Sequence, residues 1–250
     1  MKVRIDRTRL VLAIALIAVL AGPAPARAQQ PWTDRGYLDV GGWYQAVSTT
    51  FNETARPITF AEPAVVTTTY TVRSAAGFDA AAGFKIWRNL AVGAGVSFFS
   101  KSGAGSVAAQ VPHPFYFNRA RAVAGDASNL TRAETAVHTR ITWFAPLNRR
   151  WQLAISGGPS WFMVDQDLVT DVSVTQAYPF DTADFAGVTS ARQSRSRIGF
   201  NAGGDLDYMV RPKLGLGIGV TFSRVRVPLT DAVTVDAGGL HVGGGVRFRF

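Results

Sequence analysis

The chain has 250 residues, of which 47% are hydrophobic and 17% charged, and it contains 25 glycines and no cysteine. This composition is too apolar for a disordered chain, excludes a disulfide framework, and suits one domain or two small ones. The formal net charge is +9, and much of it belongs to the N-terminal segment.

Residues 1–28 have the three parts of a secretory signal peptide. Four basic residues precede an unbroken apolar run over residues 10–21, and Ala26 and Ala28 then form an A-x-A cleavage site. The run is too short for a spanning helix, which needs about 20 apolar residues. Cleavage would leave residues 29–250, a chain of 222 residues with a net charge of +5. Nucleic-acid binding would need basic residues clustered on one face, so we expect no nucleic-acid partner.

From residue 35 onward, apolar side chains recur at every second position, which predicts half-buried β-strands. Short turns follow the second, fourth and sixth segments, and longer links follow the others. This layout is typical of a transmembrane β-barrel with an even number of strands. The eight alternating segments lie within residues 38–46, 78–86, 90–98, 133–143, 151–163, 196–210, 214–222 and 240–250. The four long links, which we expect to be loops, cover about residues 49–73, 102–130, 167–191 and 227–237.

Charged residues concentrate on the second face of these segments. Together with one histidine they are Asp39, Asp79, Lys85, Glu134, His138, Arg140, Arg195, Arg197, Asp205, Asp207, Arg247 and Arg249. Five of them are acidic and six are basic, so the face is nearly neutral. An unpaired buried charge costs several kcal/mol. We therefore expect ion pairs that fill the narrow lumen of an eight-stranded barrel.

Aromatic residues favour placing the apolar face on the outside of such a barrel. They fall near both ends of the apolar face, as two aromatic girdles at the interfaces of a bilayer would. Near the short turns they are Trp143, Trp151, Tyr208 and Phe250. Near the long links they are Tyr44, Phe78, Phe98, Trp161 and Phe222.

The last strand ends with Gly245, Phe248 and Phe250, which resembles the C-terminal signal of bacterial outer-membrane barrels. That family prefers a polar residue where this chain has Gly243. Residues 35–250 resemble the small outer-membrane barrels of the OmpA/OmpX-like family. The resemblance implies an all-β, eight-stranded, antiparallel up-and-down barrel. It also implies an outer-membrane location of the Gram-negative type, contact with lipid and lipopolysaccharide, and recognition of the last strand by the barrel-assembly machinery.

The resemblance also implies a non-enzymatic barrel that acts through its outer loops, in adhesion or envelope integrity, on a partner that is not identified. A narrow passive channel is the alternative, and a soluble lipocalin-like carrier is a more distant one. We expect no cofactor and no catalytic residues. Barrel enzymes that act on lipid A need a histidine near a serine and an acid, and none of His113, His138 and His241 has such neighbours in sequence.

Two of the long links carry further candidate features. Residues 165–191 contain five aspartates and no lysine or arginine, and a solvated acidic loop explains them better than a Ca²⁺ or Mg²⁺ site, because the spacing does not match an EF-hand. The aromatic run Phe115-Tyr116-Phe117 either contacts a partner or folds onto the barrel rim.

Overall fold

The computed structural model describes residues 34–45, 48–230 and 233–250. The predicted signal peptide, with Ala26 and Ala28, lies outside these residues. Within them, no helix is long and apolar enough to cross a membrane. The twelve strands of the described residues are β1 (Gly36–Gln45), β2 (Thr49–Ala55), β3 (Ile58–Thr59), β4 (Glu62–Pro63), β5 (Val65–Val72), β6 (Ala76–Trp87), β7 (Leu90–Pro112), β8 (Ala120–Pro146), β9 (Trp151–Thr175), β10 (Asp184–Arg211), β11 (Leu214–Pro228) and β12 (Thr234–Arg249).

Eight of these strands form a closed ring. Strand β1 pairs with β6 on one side and with β12 on the other. The pairing continues from β6 through β7, β8, β9, β10 and β11 to β12, and every pair is antiparallel. Closure gives each strand of the ring two hydrogen-bonding neighbours, so the ring has no free edge. The predicted all-β fold with eight antiparallel strands is confirmed.

The apolar face of the ring points outward. Among its side chains, Ile198 is 78% exposed, Phe78 73% and Ile218 67%. Successive side chains of a strand point to opposite faces, so the alternate positions, rich in charge and glycine, line the lumen. In directly paired positions, Asp39 lies next to Arg247 and Gly41 lies next to Gly245.

The structure replaces three of the four expected loops with ordered hairpins. β7 and β8 remain paired as far as Pro112 and Ala120, and β9 and β10 as far as Thr175 and Asp184. β2 and β5 form a further hairpin beside the upper part of β7, and we call these three the outer hairpins. The loop prediction was wrong because small residues interrupt the sequence pattern, whereas the strands absorb these interruptions as register shifts, for example beside Gly103.

The fourth link also forms a hairpin, which folds into the ring. We call the described residues at the joined ends of β11 and β12, 225–230 and 233–237, the inner hairpin. Its residues Val227, Leu229 and Val235 are at most 1% exposed and pack in one apolar cluster with side chains of β5, β7, β8 and β9. Burying a side chain of this size contributes about 1.5–3 kcal/mol. The outer hairpins and the inner hairpin therefore share one core above the lumen.

Candidate functional site: the charged lumen and the inner hairpin

An ion cluster lies at the centre of the lumen, where β12, β1 and β10 each contribute one charged residue. Arg247 donates two hydrogen bonds to the Asp39 carboxylate, at 2.5 and 2.9 Å, and a third to Asp207. The Arg247 and Asp207 side chains are 7% and 2% exposed. A bidentate guanidinium–carboxylate pair fixes both position and orientation. The cluster therefore joins three strands of the ring across the lumen.

A cavity of about 90 Å³ adjoins this cluster. Asp79, Arg140 and Asp205 line it together with Asp39, Asp207 and Arg247. This volume accommodates several water molecules, since one water needs roughly 10–15 Å³ on this measure. The arrangement is a polar chamber inside the ring, with room for water.

Glycines on the neighbouring strand make room for these carboxylates. A Cβ atom at Gly219 would overlap the Asp205 carboxylate, and one at Gly217 would overlap that of Asp207. The register places each glycine directly opposite its aspartate. The glycines of β11 therefore leave the space that the aspartate side chains of β10 occupy.

An aromatic layer closes the end of the lumen at the short turns. Tyr37 and Phe144 meet edge to face, with ring centroids 5.5 Å apart, and both are at most 3% exposed. The Tyr37 ring lies where a Cβ atom of Gly83 would be. Beside this layer, the Arg249 guanidinium donates a hydrogen bond to Gln152, and Lys85 is half-buried.

Above the chamber, a polar layer surrounds His138, which is 2% exposed. Its Nε2 atom lies 2.9 Å from Ser97 Oγ, and its Nδ1 atom lies 2.7 Å from Ser160 Oγ. Asn201 Nδ2 donates to the same Ser160 hydroxyl at 2.7 Å. This neutral chain ties β7, β8, β9 and β10 together.

Strand β8, which lies across the lumen from β12, holds the inner hairpin in place. Arg132 and Glu134 of β8 form a buried ion pair at 2.7 Å. Arg132 Nη2 donates to the Asp236 carbonyl oxygen at 2.8 Å, and Glu134 Oε2 accepts from the Gly238 N–H at 2.9 Å. β8 and β12 are four strands apart in a ring of eight, so these bonds cross the ring and show that the hairpin folds inward.

Two glycines allow the chain to bend at the base of the inner hairpin. Gly238 has a φ of 82° and Gly239 a φ of 145°, which side chains other than hydrogen rarely tolerate. Gln45 also donates from Nε2 to the Gly238 carbonyl oxygen, at 3.2 Å. Trp43 stacks on His241 below the bend, with ring centroids 3.9 Å apart. The inner hairpin and this aromatic pair cover the chamber from above.

The structure departs from the sequence-based prediction at Arg195 and Arg197, which were expected in the lumen. Both are exposed. Pairing between β10 and β11 ends at Phe200 and Arg224. Beyond that point the inner hairpin leaves the ring, so within the described residues no strand pairs with the upper part of β10 on that side. Alternation correctly assigned these arginines to the inner face of β10. In this region, however, the inner face is exposed to solvent.

The terminal residues complete the ring. The Phe250 carbonyl oxygen accepts hydrogen bonds from the N–H groups of Arg35 and Gly36, at 2.9 and 2.7 Å. Phe248 pairs with Leu38 on one side and Leu214 on the other, and Gly245 pairs with Gly41 and Gly217. Phe248 and Phe250 are 45% and 59% exposed. Recognition of this strand by an assembly machinery stays a prediction.

Several residues that line the lumen were not predicted from the sequence. Arg132 lies one residue before the predicted fourth segment and on the same face as Glu134. Extending the alternation by one residue would therefore have predicted that Arg132 faces the lumen. Ser97, Ser160 and Asn201 carry no charge and gave no signal, because nothing local shows that they meet around a histidine.

The tips of the outer hairpins form an exposed aromatic surface. Phe115, Phe117 and Tyr178 are 69%, 74% and 86% exposed. Below them, Arg121 of β8 joins the β7–β8 hairpin to the β9–β10 hairpin, because it donates to Gln176 at 2.5 Å and to the Phe180 carbonyl oxygen at 3.0 Å. We call these three aromatic residues with Tyr116 the tip surface.

The aspartates of the predicted acidic loop are spread along the outer hairpins. Asp165 accepts a hydrogen bond from Ser194, and Asp167 accepts from the Thr131 N–H at 2.9 Å and from Arg192 at 3.1 Å. Within the described part of the chain, no group of three or more histidine, cysteine, aspartate or glutamate residues is placed to hold a metal ion. These carboxylates connect strands.

Comparison with solved structures finds outer-membrane proteins at low similarity. Neisserial surface protein A aligns with 10% identity and a TM-score of 0.45, covering 86% of this chain and 97% of that one. OprG, an outer membrane protein from Pseudomonas aeruginosa, aligns with 8% identity and a TM-score of 0.46, covering 87% and 96%. Ail, the attachment invasion locus protein of Yersinia pestis, aligns with 12% identity and a TM-score of 0.35, covering 86% and 99%.

No protein-family model matches the sequence, and no curated protein sequence matches it. At TM-scores below 0.5, the structural likenesses carry no argument about what this chain does. We therefore infer the function from the burial, charge and hydrogen bonding of the chain's own residues.

Proposed function

We propose that this protein is a transmembrane β-barrel of an outer membrane, with its short turns toward the periplasm. The observation that carries this proposal is the band of exposed apolar side chains around the ring. On β10 the band extends from Ile198 to Val210, both more than half exposed. At a 45° tilt these thirteen residues span roughly 30 Å, the thickness of a bilayer core. A soluble carrier of the lipocalin type would leave this whole band in water.

We further propose that the barrel is closed and non-enzymatic. The aromatic layer at Tyr37 and Phe144 and the inner hairpin lie across the two ends of the polar chamber. His138 is buried between two hydroxyl groups, and its hydrogen-bond partners among the described residues include no carboxylate. These features support a structural role for the polar lumen. They favour ion pairs that fill the barrel over a path for solutes.

The biological activity then belongs to the outer hairpins, which we propose contact an extracellular partner in adhesion or envelope integrity. The tip surface supports this proposal, because exposed aromatic side chains on hairpins held together by the bonds from Arg121 to Gln176 and Phe180 form a preorganised contact area.

A narrow channel is the second candidate, and the chamber of about 90 Å³ is the observation that favours it. Conduction would require the inner hairpin to leave the lumen. The two functions therefore differ in one measurable property, the conductance of the protein in a bilayer.

The test is to refold residues 29–250 into a planar bilayer and to record conductance. We expect stable insertion without steady current. The double variant R132A/E134A, which removes the cross-ring bonds to the inner hairpin, should conduct more often than the native protein. Arg149→Ala, at an exposed position in a short turn, is the control. Steady current through the native protein would reject the closed barrel, and failure to insert would reject the membrane location.

A further inference from the structure

We propose that Arg195 and Arg197 protect an open edge of β10 against the addition of a β-strand from a second copy of this chain. The edge lies in the wall of the ring above Phe200 and Arg224, the last paired residues of β10 and β11. This role is the same whether the barrel is closed or conducts, so it goes beyond the proposed function.

The open edge begins where β11 leaves the wall. A Cβ atom at Gly199 would overlap the Arg224 carbonyl oxygen, so β11 is still in contact at that level. From there β10 extends along β9 to Asp184, and among the described strands no other one pairs with this stretch. An edge strand presents unpaired N–H and C=O groups, which are a template for another extended chain.

The register identifies the backbone groups that face the opening. In an antiparallel pair the N–H and C=O of one residue point to the same neighbour, and successive residues alternate. Met209 donates its N–H to the Arg150 carbonyl oxygen, on the β9 side, and the register with β9 is unbroken over residues 190–208. Odd-numbered residues of this stretch therefore bond to β9. The even-numbered residues, which include Ser194 and Ser196, face the opening.

The two arginines occupy carbonyl oxygens of this open edge. Arg195 Nη1 donates to the Ser194 carbonyl oxygen at 3.0 Å, and Arg197 Nη1 donates to that of Ser196 at 3.5 Å. Neither arginine belongs to an ion pair within the described part of the chain. An added strand would need the same two oxygens as acceptors for its own N–H groups. It would have to displace both guanidinium groups first.

An added strand would also bury the two charges. On the inner face of β10, Arg195 lies beside Val164 and Arg197 beside Phe162, two side chains that are at most 2% exposed. Both arginines are nevertheless exposed, because β11 has left the wall at this level. A strand in its place would cover them without supplying a carboxylate, and an unpaired buried charge is unfavourable. Inward-pointing charged residues are a known protection of edge strands.

A second copy of this chain is the partner against which the protection acts, since it presents an identical edge. Antiparallel pairing places residues whose N–H and C=O groups face each other in directly opposite positions. If Ser194 and Ser196 of two copies pair in this way, Arg195 lies opposite an arginine of the other copy. Like charges in directly opposite positions destabilise a strand pair.

The first measurement is amide hydrogen exchange of the native protein, refolded as residues 29–250 in detergent micelles and read by NMR. We expect the N–H groups of Ser194 and Ser196 to exchange at least tenfold faster than those of Arg195 and Arg197, which bond to β9. Equal protection of the two sets would mean that the edge is already paired, and it would overturn the proposal.

The second measurement compares the native protein with R195A/R197A. Native mass spectrometry of the refolded proteins gives the concentration at which dimers form, and we expect this concentration to be at least tenfold lower for the variant. In its dimers, the amides of Ser194 and Ser196 should exchange more slowly. R149A/R211A removes two exposed arginines at the short turns. It is the control for the change in net charge and should dimerise like the native protein.

Unchanged dimerisation of R195A/R197A would contradict the protective role. Dimers without slower exchange at Ser194 and Ser196 would contradict it as well, because they would use another surface. R195S/R197S, which carries the residue type of the adjacent edge positions, repeats the comparison if the alanine variant does not fold. A folded variant that stays monomeric rejects this role alone, whereas the conductance of the native protein in a planar bilayer tests the proposed function.

Discussion

Arg247 is the most heavily engaged residue of the lumen. It contacts Asp39 and Asp207 on two other strands, and its guanidinium carbon lies 5.8 Å from the centroid of the Tyr37 ring. The charges are buried, so their contribution depends on complete pairing and not on attraction alone. Removing the Arg247 guanidinium would leave the Asp39 and Asp207 carboxylates in the lumen without the cation that pairs with both.

Arg247→Ala should therefore lower the free energy of unfolding by about 3–5 kcal/mol, the usual cost of breaking a buried ion pair. Urea unfolding of the protein in lipid vesicles measures this change. Arg197→Ala should change it by less than about 0.5 kcal/mol, because Arg197 is exposed and outside the lumen. Equal losses in the two variants would contradict the assignment of lumen and surface.

At the scale of one element, the inner hairpin depends on its bend. A Cβ atom at Gly238 would approach the Ser223 carbonyl oxygen to 2.5 Å, and the positive φ of Gly238 strains any other residue. Both effects act at the point where β12 leaves the wall of the ring. A substitution there should loosen the hairpin while the ring stays paired.

Gly238→Ala should lower the amide-exchange protection of Val225 and Val235 by ten- to a hundredfold, in line with about 1–3 kcal/mol of backbone strain. Hydrogen exchange read by NMR measures this loss. Gly187→Ala is the matched control, since no atom lies within 4 Å of its Cβ position. Unchanged protection in Gly238→Ala would mean that the bend does not hold the hairpin.

In the outer hairpins, the Asp167 carboxylate of β9 accepts hydrogen bonds from Thr131 of β8 and Arg192 of β10. The strength of this connection depends on pH. Burial raises the pKa of the Asp167 carboxyl group, but hydrogen bonds from the Thr131 N–H and from Arg192 outweigh burial, and the net pKa is below the ordinary value. A lowered pKa stabilises the folded state above the ordinary carboxyl pKa, near 4. This contribution is lost as the pH falls through the lowered pKa.

The protection factor of the Thr131 amide should therefore be constant above about pH 5 and fall below about pH 4. Asp167→Asn should show the low protection already at pH 7 and lose the pH dependence. Asp165→Asn, whose carboxylate contacts Ser194 instead, serves as the comparison. A native protection factor that stays constant down to pH 2 would refute the role given to Asp167.

At the scale of the whole molecule, the outward position of the apolar face decides the environment of the protein. Trp161 lies on that face and is 57% exposed, whereas Trp43 lies inside and is 8% exposed. Aromatic side chains at the ends of the band suit the interfaces of a bilayer. The fluorescence of Trp161 therefore depends on the environment outside the ring, and that of Trp43 on the environment inside it.

In vesicles with brominated acyl chains, fluorescence should be quenched strongly in a variant that retains only Trp161. It should be quenched weakly in one that retains only Trp43. The other tryptophans are replaced by phenylalanine in both variants, and vesicles without bromine provide the baseline. Stronger quenching of Trp43 would place the apolar face inside the ring and refute the membrane orientation.

Alternation along the chain was sufficient to predict the eight strands and the shared face of residues such as Asp39 and Arg247, because the period of two is a local property of a strand. The outward position of the apolar face needed a further signal, the aromatic residues near both ends of that face. Alternation failed where position depends on neighbours distant in sequence. The face of Arg195 and Arg197 was predictable, but their exposure depends on where β11 leaves β10.

Residue order within single strands is enough to predict the all-β class and the segregation of apolar and charged side chains. The folded ring establishes which charges pair, that His138 lies between Ser97 and Ser160, and that the inner hairpin folds inward. The physical reason is that these contacts join strands separated by up to 208 residues, as Asp39 and Arg247 are. Closure of the ring, and not local pattern, brings them together.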